Sequence, residues 1–281
     1  MEPFVLQQAE EYQLLLSQWM KHNQQLTVGF TTRNGGVSKA PYHSFNIGLH
    51  VNDVAVDVLH NRQKLAQSVG LSFDAWTNGE QIHSNHIAIV TSKERGKGRN
   101  SMVDAIQGVD GLLTNEPDIL LTSFYADCVP LYFWDEENGV VGLAHAGWKG
   151  TAAAIVFEMI NTMKTTYHSD PKQIRCAIGP AIGDCCYEVN HVVIDRIMEL
   201  WHTLELPEQA LESVFSNKSE DNAHINLKEI NRQIMIKAGI LPSRIEISEW
   251  CTGCARHLFY SHRMEDGKTG RMASWIGIRK G

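Results

Sequence analysis

Three side chains in this sequence have the chemistry to hold a borderline-soft divalent metal: His83, Cys128 and His145. Two imidazoles and a thiolate suit a cation such as zinc, and three protein donors leave a fourth position open, as catalytic sites require. A metal held this way lowers the pKa of its bound water toward neutrality. The three residues are far apart in the chain, so spacing leaves a rival reading open, with Cys128 as a small buried hydrophobe and the histidines as rim residues. His86 could replace His83 as the ligand. Without a metal, Cys128 and His145 are the nucleophile and base of a cysteine hydrolase.

Other residues could bind anions or move protons. Gly147-Trp148-Lys149-Gly150-Thr151 reads as the mouth of a helix, where backbone N–H groups, the helix dipole and Lys149 favour an anion. It lacks the P-loop spacing. Arg33 precedes Gly35-Gly36, and Arg263 and Arg271 flank a second turn, so each is a further candidate phosphate contact. Asn46 is a candidate for a ribose hydroxyl or a base. Asp127 and Glu80 abut the presumed ligands and are the candidate acid–base groups. Cys251-x-x-Cys254 with Cys185-Cys186 has the donors of a four-thiolate zinc site. Strand neighbours at 185 and 186 would send their sulfurs to opposite faces, so the reading adopted is reduced core thiols. A copper phenol oxidase needs clustered histidines, typically in H-x-H pairs, and none of the thirteen histidines forms one.

The elements that must position these groups centre on residues 126–151, read as strand, turn, strand and helix mouth. Cys128 and His145 stand at the outer ends of the two runs. A loop centred near Glu136-Glu137 puts them opposite each other; a two-residue turn at Asn138-Gly139 separates them by about 13 Å along a strand. The wider loop is the reading adopted. Apolar periodicity predicts helices over 10–21, 54–69 (capped by Asp53), 151–167, 192–204 and 226–238, the last with an Asn226/Glu229 capping box. Strands are expected over 26–32, 110–114, 119–124, 176–179, 245–248, 258–261 and 272–278. With no internal repeat and no linker, residues 1–281 read as one mixed α+β domain.

Composition narrows the partners. The balance of 25 basic and 32 acidic residues gives a net charge of −7, which argues against a nucleic-acid backbone. The N-terminus lacks the pattern of a signal peptide, no run approaches a membrane span, and six cysteines are too few for a disulfide scaffold. A cytoplasmic protein, monomeric or a small homo-oligomer, is the expectation.

As a set the motifs resemble one family. Gly35-Gly36-Val37-Ser38, Phe45-Asn46-Ile47-Gly48-Leu49, Gln81-Ile82-His83, Ala126-Asp127-Cys128-Val129-Pro130, His145-Ala146-Gly147-Trp148-Lys149-Gly150, Gly179-Pro180-Ala181-Ile182-Gly183, Ser261-His262-Arg263 and Thr269-Gly270-Arg271 resemble the YlmD/YfiH family. It is also called the laccase-domain or multicopper polyphenol oxidase family, with the human protein FAMIN as a relative. The similarity runs over about 28–278 and leaves 1–27 as an N-terminal extension packed on the domain.

The resemblance implies a single-domain α/β/β/α fold shared with the catalytic domains of cytotoxic necrotising factors. It also implies zinc on His83, Cys128 and His145, with copper a weaker alternative. The implied reactions are phosphorolysis of adenosine, inosine and S-methyl-5′-thioadenosine by orthophosphate, and deamination of adenosine. Three residues depart from the pattern: Ser84 for the usual Gly, Lys149 for a frequent Arg, and His262 for a common Tyr. Lys149 matters most, because an ammonium cannot make the bidentate phosphate contact of a guanidinium.

Overall fold

The computed structural model describes residues 2–7, 11–217, 219 and 221–280. The chain opens with β1 (Phe4–Leu6), β2 (Gln13–Leu16), the short helix α1 (Ser17–His22) and β3 (Leu26–Thr31). Residues 13–16, expected within a helix over 10–21, form a strand. Leu14 and Leu16 enter one apolar layer and Leu15 packs against another, which is the two-residue period of a strand. Residue 10 lies outside the described residues.

Helix α2 (Ala55–Ser68) follows, starting from Val54. Asp53 gives it no side-chain cap: one oxygen accepts the neighbouring Val54 N–H and the other accepts Asn46 Nδ2. Then come β4 (Trp76–Asn78), β5 (Ile87–Ile89), β6 (Gly111–Thr114), β7 (Leu120–Tyr125), β8 (Val129–Asp135) and β9 (Val140–Ala146). The helix expected over 151–167 is two helices, α3 (Trp148–Ala152) and α4 (Ile155–Tyr167), broken where Ala154 takes a left-handed φ of 54°. Helix α4 packs on β9 and β6, while α3 also meets the later helix at 191–203. The remainder is β10 (Arg175–Ile178), β11 (Glu188–Asn190), α5 (His191–Thr203), α6 (Leu211–Val214), β12 (Phe215–Ser216), β13 (Asn222–Ile225), α7 (Leu227–Lys237), β14 (Ile245–Ile247) and β15 (Met272–Ile278). Asn226 caps α7 by accepting the Glu229 N–H. Residues 258–261 form no strand: Leu258 ends a turn, with the Leu258 and Phe259 N–H groups both returning to Ala255 O, and 259–261 are irregular.

Two six-stranded sheets lie face to face, in the orders β1-β2-β3-β15-β7-β4 and β14-β10-β8-β9-β6-β5. Helix α2 covers the outer face of the first through Leu65, against Trp76, Phe124 and Trp275. Helices α4, α5 and α7 cover the outer face of the second. The alternation in β8 records this layering: Leu131 and Phe133 face the helices, whereas Tyr132 and Trp134 face the other sheet. The result is the helix–sheet–sheet–helix arrangement. No helix among the described residues is long and apolar enough to cross a membrane.

The β8–β9 hairpin takes neither register weighed from sequence. Asp135 pairs with Val140 and Pro130 with His145, across a four-residue loop whose Gly139 has a φ of 62°. Asp135 holds the loop by accepting the Glu137 and Asn138 N–H groups. Cys128 therefore sits two residues beyond the partner of His145. An even offset keeps both side chains on the same face.

Candidate metal centre

The donor atoms of His83, Cys128 and His145 lie within 4.8 Å of one another. Two come from the rim of the second sheet and one from the turn before β5. That turn is held by Asp110, at the start of β6. Its Oδ2 accepts the Ile82 and Ser84 N–H groups and the Ser84 hydroxyl, while Oδ1 accepts the His83 N–H. His83 itself has a φ of 62°. The same Oδ1 is 2.8 Å from His145 Nδ1, and both side chains are buried. A carboxylate can only accept, so Nδ1 carries the proton and Nε2 is left as the donor toward the centre. His86, the alternative ligand, turns its Nδ1 to Gly108 O instead.

The three donors fit a metal. His83 Nε2 is 3.9 Å from Cys128 Sγ, and the His83 and His145 rings meet edge to face at 4.8 Å. Gly147 leaves room, since a Cβ there would lie 2.9 Å from Cys128 Sγ and 3.0 Å from the His83 ring. The electrostatics favour the ligating form of the sulfur. Burial would raise the Cys128 thiol, but His145 and His83 override it and hold it down to about 6. Burial likewise would lower His145, and Cys128 with Asp110 raises it instead, to about 9.

Two cavities meet at this centre. The larger, about 440 Å³, is lined by His50, Glu80, Gln81, Met102, Phe124 and Arg271 beside the three donors. Its volume lies within the range of small-molecule sites. The smaller, about 300 Å³, is lined by Asp127, Trp148, Lys149, Tyr187 and Arg263, and shares His83, Cys128 and His262 with the first.

Several sequence-predicted residues stand elsewhere or are already engaged. Arg33 lines neither cavity. Its guanidinium pairs with Glu265 at 2.9 Å, donates to Arg256 O and Phe259 O, and lies over the Tyr260 ring. Asn46 is buried, with Oδ1 accepting the Gly48 and Arg271 N–H groups and Nδ2 donating to Asp53, so it positions Arg271 and lines neither cavity. Asp127 accepts the Thr252 and Ser261 hydroxyls and the Arg263 N–H, which uses both oxygens and makes it a brace. The expected helix mouth opens on the smaller cavity through Gly147, Trp148 and Lys149, although the helix behind it is short. Helix α3 has five residues, and the buried Thr151 hydroxyl accepts Asn231 Nδ2. Lys149 and Arg263 are brought to one cavity, and Arg271 to the other. Asp110 was missed: an aspartate before an apolar strand has no local mark of its distant partners. The four cysteines at 185, 186, 251 and 254, expected to be reduced core thiols, converge at the surface. Residues 184–186 and 252–254 lie in turns, so the strand alternation invoked for the adjacent pair does not apply.

Comparison with known proteins shows the family and the fold. The family described as multi-copper polyphenol oxidoreductase laccase matches residues 27–279. The purine nucleoside phosphorylase YlmD of Geobacillus stearothermophilus is 44% identical over 253 residues, covering 90% of each chain. The purine nucleoside phosphorylase YlmD of Bacillus subtilis is 38% identical over 270 residues, 95% of each. Among solved structures, the hypothetical protein YfiH of Bacillus licheniformis superposes with a TM-score of 0.92 at 43% identity, covering 99% of this chain and all of its own.

Proposed function

The chain belongs to the multi-copper polyphenol oxidoreductase laccase family, together with the YlmD and YfiH proteins, and from that premise we propose that it is a purine nucleoside phosphorylase. Its substrates in this reading are adenosine, inosine and S-methyl-5′-thioadenosine, with orthophosphate as the acceptor and adenosine deamination as a second reaction. The observation that carries it is the junction of a partly aromatic cavity with a cationic one at a shared set of donors.

In this reading the base lies in the larger cavity near Phe124 and His50, whose rings stand 6.1 Å apart. Phosphate lies in the smaller one against Lys149 and Arg263. The glycosidic bond then falls at the junction. Holding the two reactants together supplies much of the rate, and cations facing an oxocarbenium-like transition state's incoming phosphate supply more. A divalent metal on His83, Cys128 and His145, zinc in this proposal, would supply Lewis acidity there. Among the described residues Glu80 is the one carboxylate lining the larger cavity, and it is assigned the proton transfers of deamination. Asp127 is not, because its oxygens are engaged.

The test is adenosine supplied with and without phosphate. Adenine and ribose 1-phosphate formed only with phosphate are expected; adenine formed equally fast without it means hydrolysis. Inosine formed in either case reports the deaminase reaction.

A second reading has a specific observation behind it. Cys128, His145 and Asp110 form a thiol–imidazole–carboxylate series, its imidazole and carboxylate buried and its depressed thiol half-buried at the cavities. Iodoacetamide distinguishes the two: a cysteine hydrolase is inactivated through Cys128 and works without metal, whereas the phosphorylase loses activity on chelation. Stoichiometric copper in the purified protein would instead favour the oxidase reading.

A further inference from the structure

We propose that Cys185, Cys186, Cys251 and Cys254 bind a second metal ion, a thiophilic divalent cation with zinc foremost, as a four-thiolate structural centre that bolts two turns together beside the first site. Cys185 Sγ lies 3.5 Å from Cys251 Sγ and 3.5 Å from Cys254 Sγ, and Cys186 Sγ lies 3.4 Å from Cys254 Sγ. All four fall within 4.8 Å of one another. Sulfurs placed tetrahedrally at about 2.3 Å from a zinc ion stand about 3.8 Å apart, so a small adjustment closes this set around one ion.

The surrounding backbone is built for close-packed sulfur. A Cβ on Gly253 would lie 2.9 Å from Cys186 Cβ and 3.0 Å from its Sγ; one on Gly183 would lie 3.2 Å from Cys185 Sγ and 3.4 Å from Cys251 Sγ. Glycine is therefore the residue that admits four sulfurs here. The Gly183 N–H donates to Cys251 Sγ at 3.2 Å, an interaction that favours a thiolate. The two turns are already joined by a bridge between Ala181 and Cys251 and by the Thr252 N–H donating to Ala181 O. Four thiolates and a divalent ion leave two negative charges. The buried Lys228 ammonium lies in the field of Cys251 and Cys185, and it donates to Ser248 O and Trp250 O, just before the Cys251 turn. Cys185 and Cys254 are exposed, so an ion can enter from solvent. Four sulfurs within 4.8 Å of one another are the donor set of zinc or iron rather than of hard cations.

The position suggests what the centre does. Thr252, between the two ligands of the Cys251-x-x-Cys254 turn, donates to Asp127 Oδ1 at 2.6 Å. Asp127 precedes Cys128 and also accepts the Arg263 N–H. A metal that fixes this turn thus fixes the brace of a first-site ligand and of a cation lining the smaller cavity. The proposal rests on the cysteine geometry alone and stands whatever reaction the first site performs.

Metal counting on protein purified without chelator tests it. Two equivalents per chain are expected in the parent, and one in Cys254→Ser and in Cys128→Ala. X-ray absorption at the metal edge of Cys128→Ala is expected to find a shell of four sulfurs at about 2.3 Å and no nitrogen; that shell around iron supports the site equally. On the parent chain, which needs no variant, iodoacetamide should spare these four cysteines until a strong chelator is added. A parent holding no more than one equivalent, with the four thiols alkylated at once, overturns the proposal. So does an intact mass showing them joined as disulfides.

Discussion

Asp110 Oδ1 accepts from His145 Nδ1 at 2.8 Å and from the His83 N–H at 3.1 Å, so one buried carboxylate orients two of the three candidate metal donors. Its other oxygen holds the Ile82 and Ser84 N–H groups of the turn that carries His83. Asp110→Asn keeps the size but turns half of the acceptor into a donor. Partners of this kind typically contribute about 10- to 100-fold in metal affinity. A chelator competition is expected to find a loss of that size. Asp110→Ala should also lower thermal stability, because the buried His145 Nδ1–H loses its acceptor at about 1–3 kcal/mol, and the part-buried N–H groups of residues 82–84 lose theirs as well.

Gly147 is expected to be intolerant of any side chain. Its φ of −70° is ordinary, so Gly147→Ala strains no backbone. The added methyl group would instead fall 2.9 Å from Cys128 Sγ, inside the space a ligated ion needs. The variant should fold, with a melting temperature near that of the metal-free parent, and hold no metal at the first site. Metal content measured alongside thermal melts checks this. A variant binding as tightly as the parent would place the ion elsewhere.

Arg33 and Glu265 give a pH prediction. Burial would raise the Glu265 carboxyl, but Thr269, the Ser261 N–H and Arg33 together hold it below the usual 4.5. A depressed carboxylate contributes stability that is complete above the unfolded-state value and is lost as pH falls through the folded-state value. Glu265→Gln should therefore be less stable than the parent above about pH 4.5, with the gap closing at more acid pH. Thermal melts across that window measure it. Arg33→Ala should lower stability while leaving the KM for phosphate within about twofold, since Arg33 is turned into the protein and lines neither cavity.

What sequence could and could not disclose follows the range of each interaction. Asn226 capping the Glu229 N–H spans three residues and was readable. The hairpin was readable as an element, but its register depended on how Asp135 folds the loop onto itself. His83, Cys128 and His145 were recognisable by donor type and by the resemblance that grouped them. Arg33 was misjudged because its partners lie more than two hundred residues away. The Cys185–Cys186 pair was misjudged on a local assumption: the alternation of strands was applied to residues that fold as a turn. Tertiary closure, not residue type, decides which arginine is a ligand and which is a strut.

Lys149 and Arg263 carry the remaining prediction. Both line the smaller cavity, and both have neighbours that aim them: Lys149 Nζ lies over the Trp148 ring, and Arg263 lies over Tyr187 with Nη1 donating to Glu188 O. Because the Glu188 contact uses part of the Arg263 guanidinium, Lys149 has the larger share of the anion in the proposed reaction. Lys149→Ala should raise the KM for phosphate about tenfold, the equivalent of about 1.4 kcal/mol, with a smaller change in the KM for adenosine. Lys149→Arg should restore phosphate affinity or exceed the parent, since a guanidinium makes two parallel contacts where an ammonium makes one. Initial rates with phosphate and nucleoside varied separately decide the matter. Equal losses for the two substrates would mean that the lysine shapes the junction rather than holding the anion.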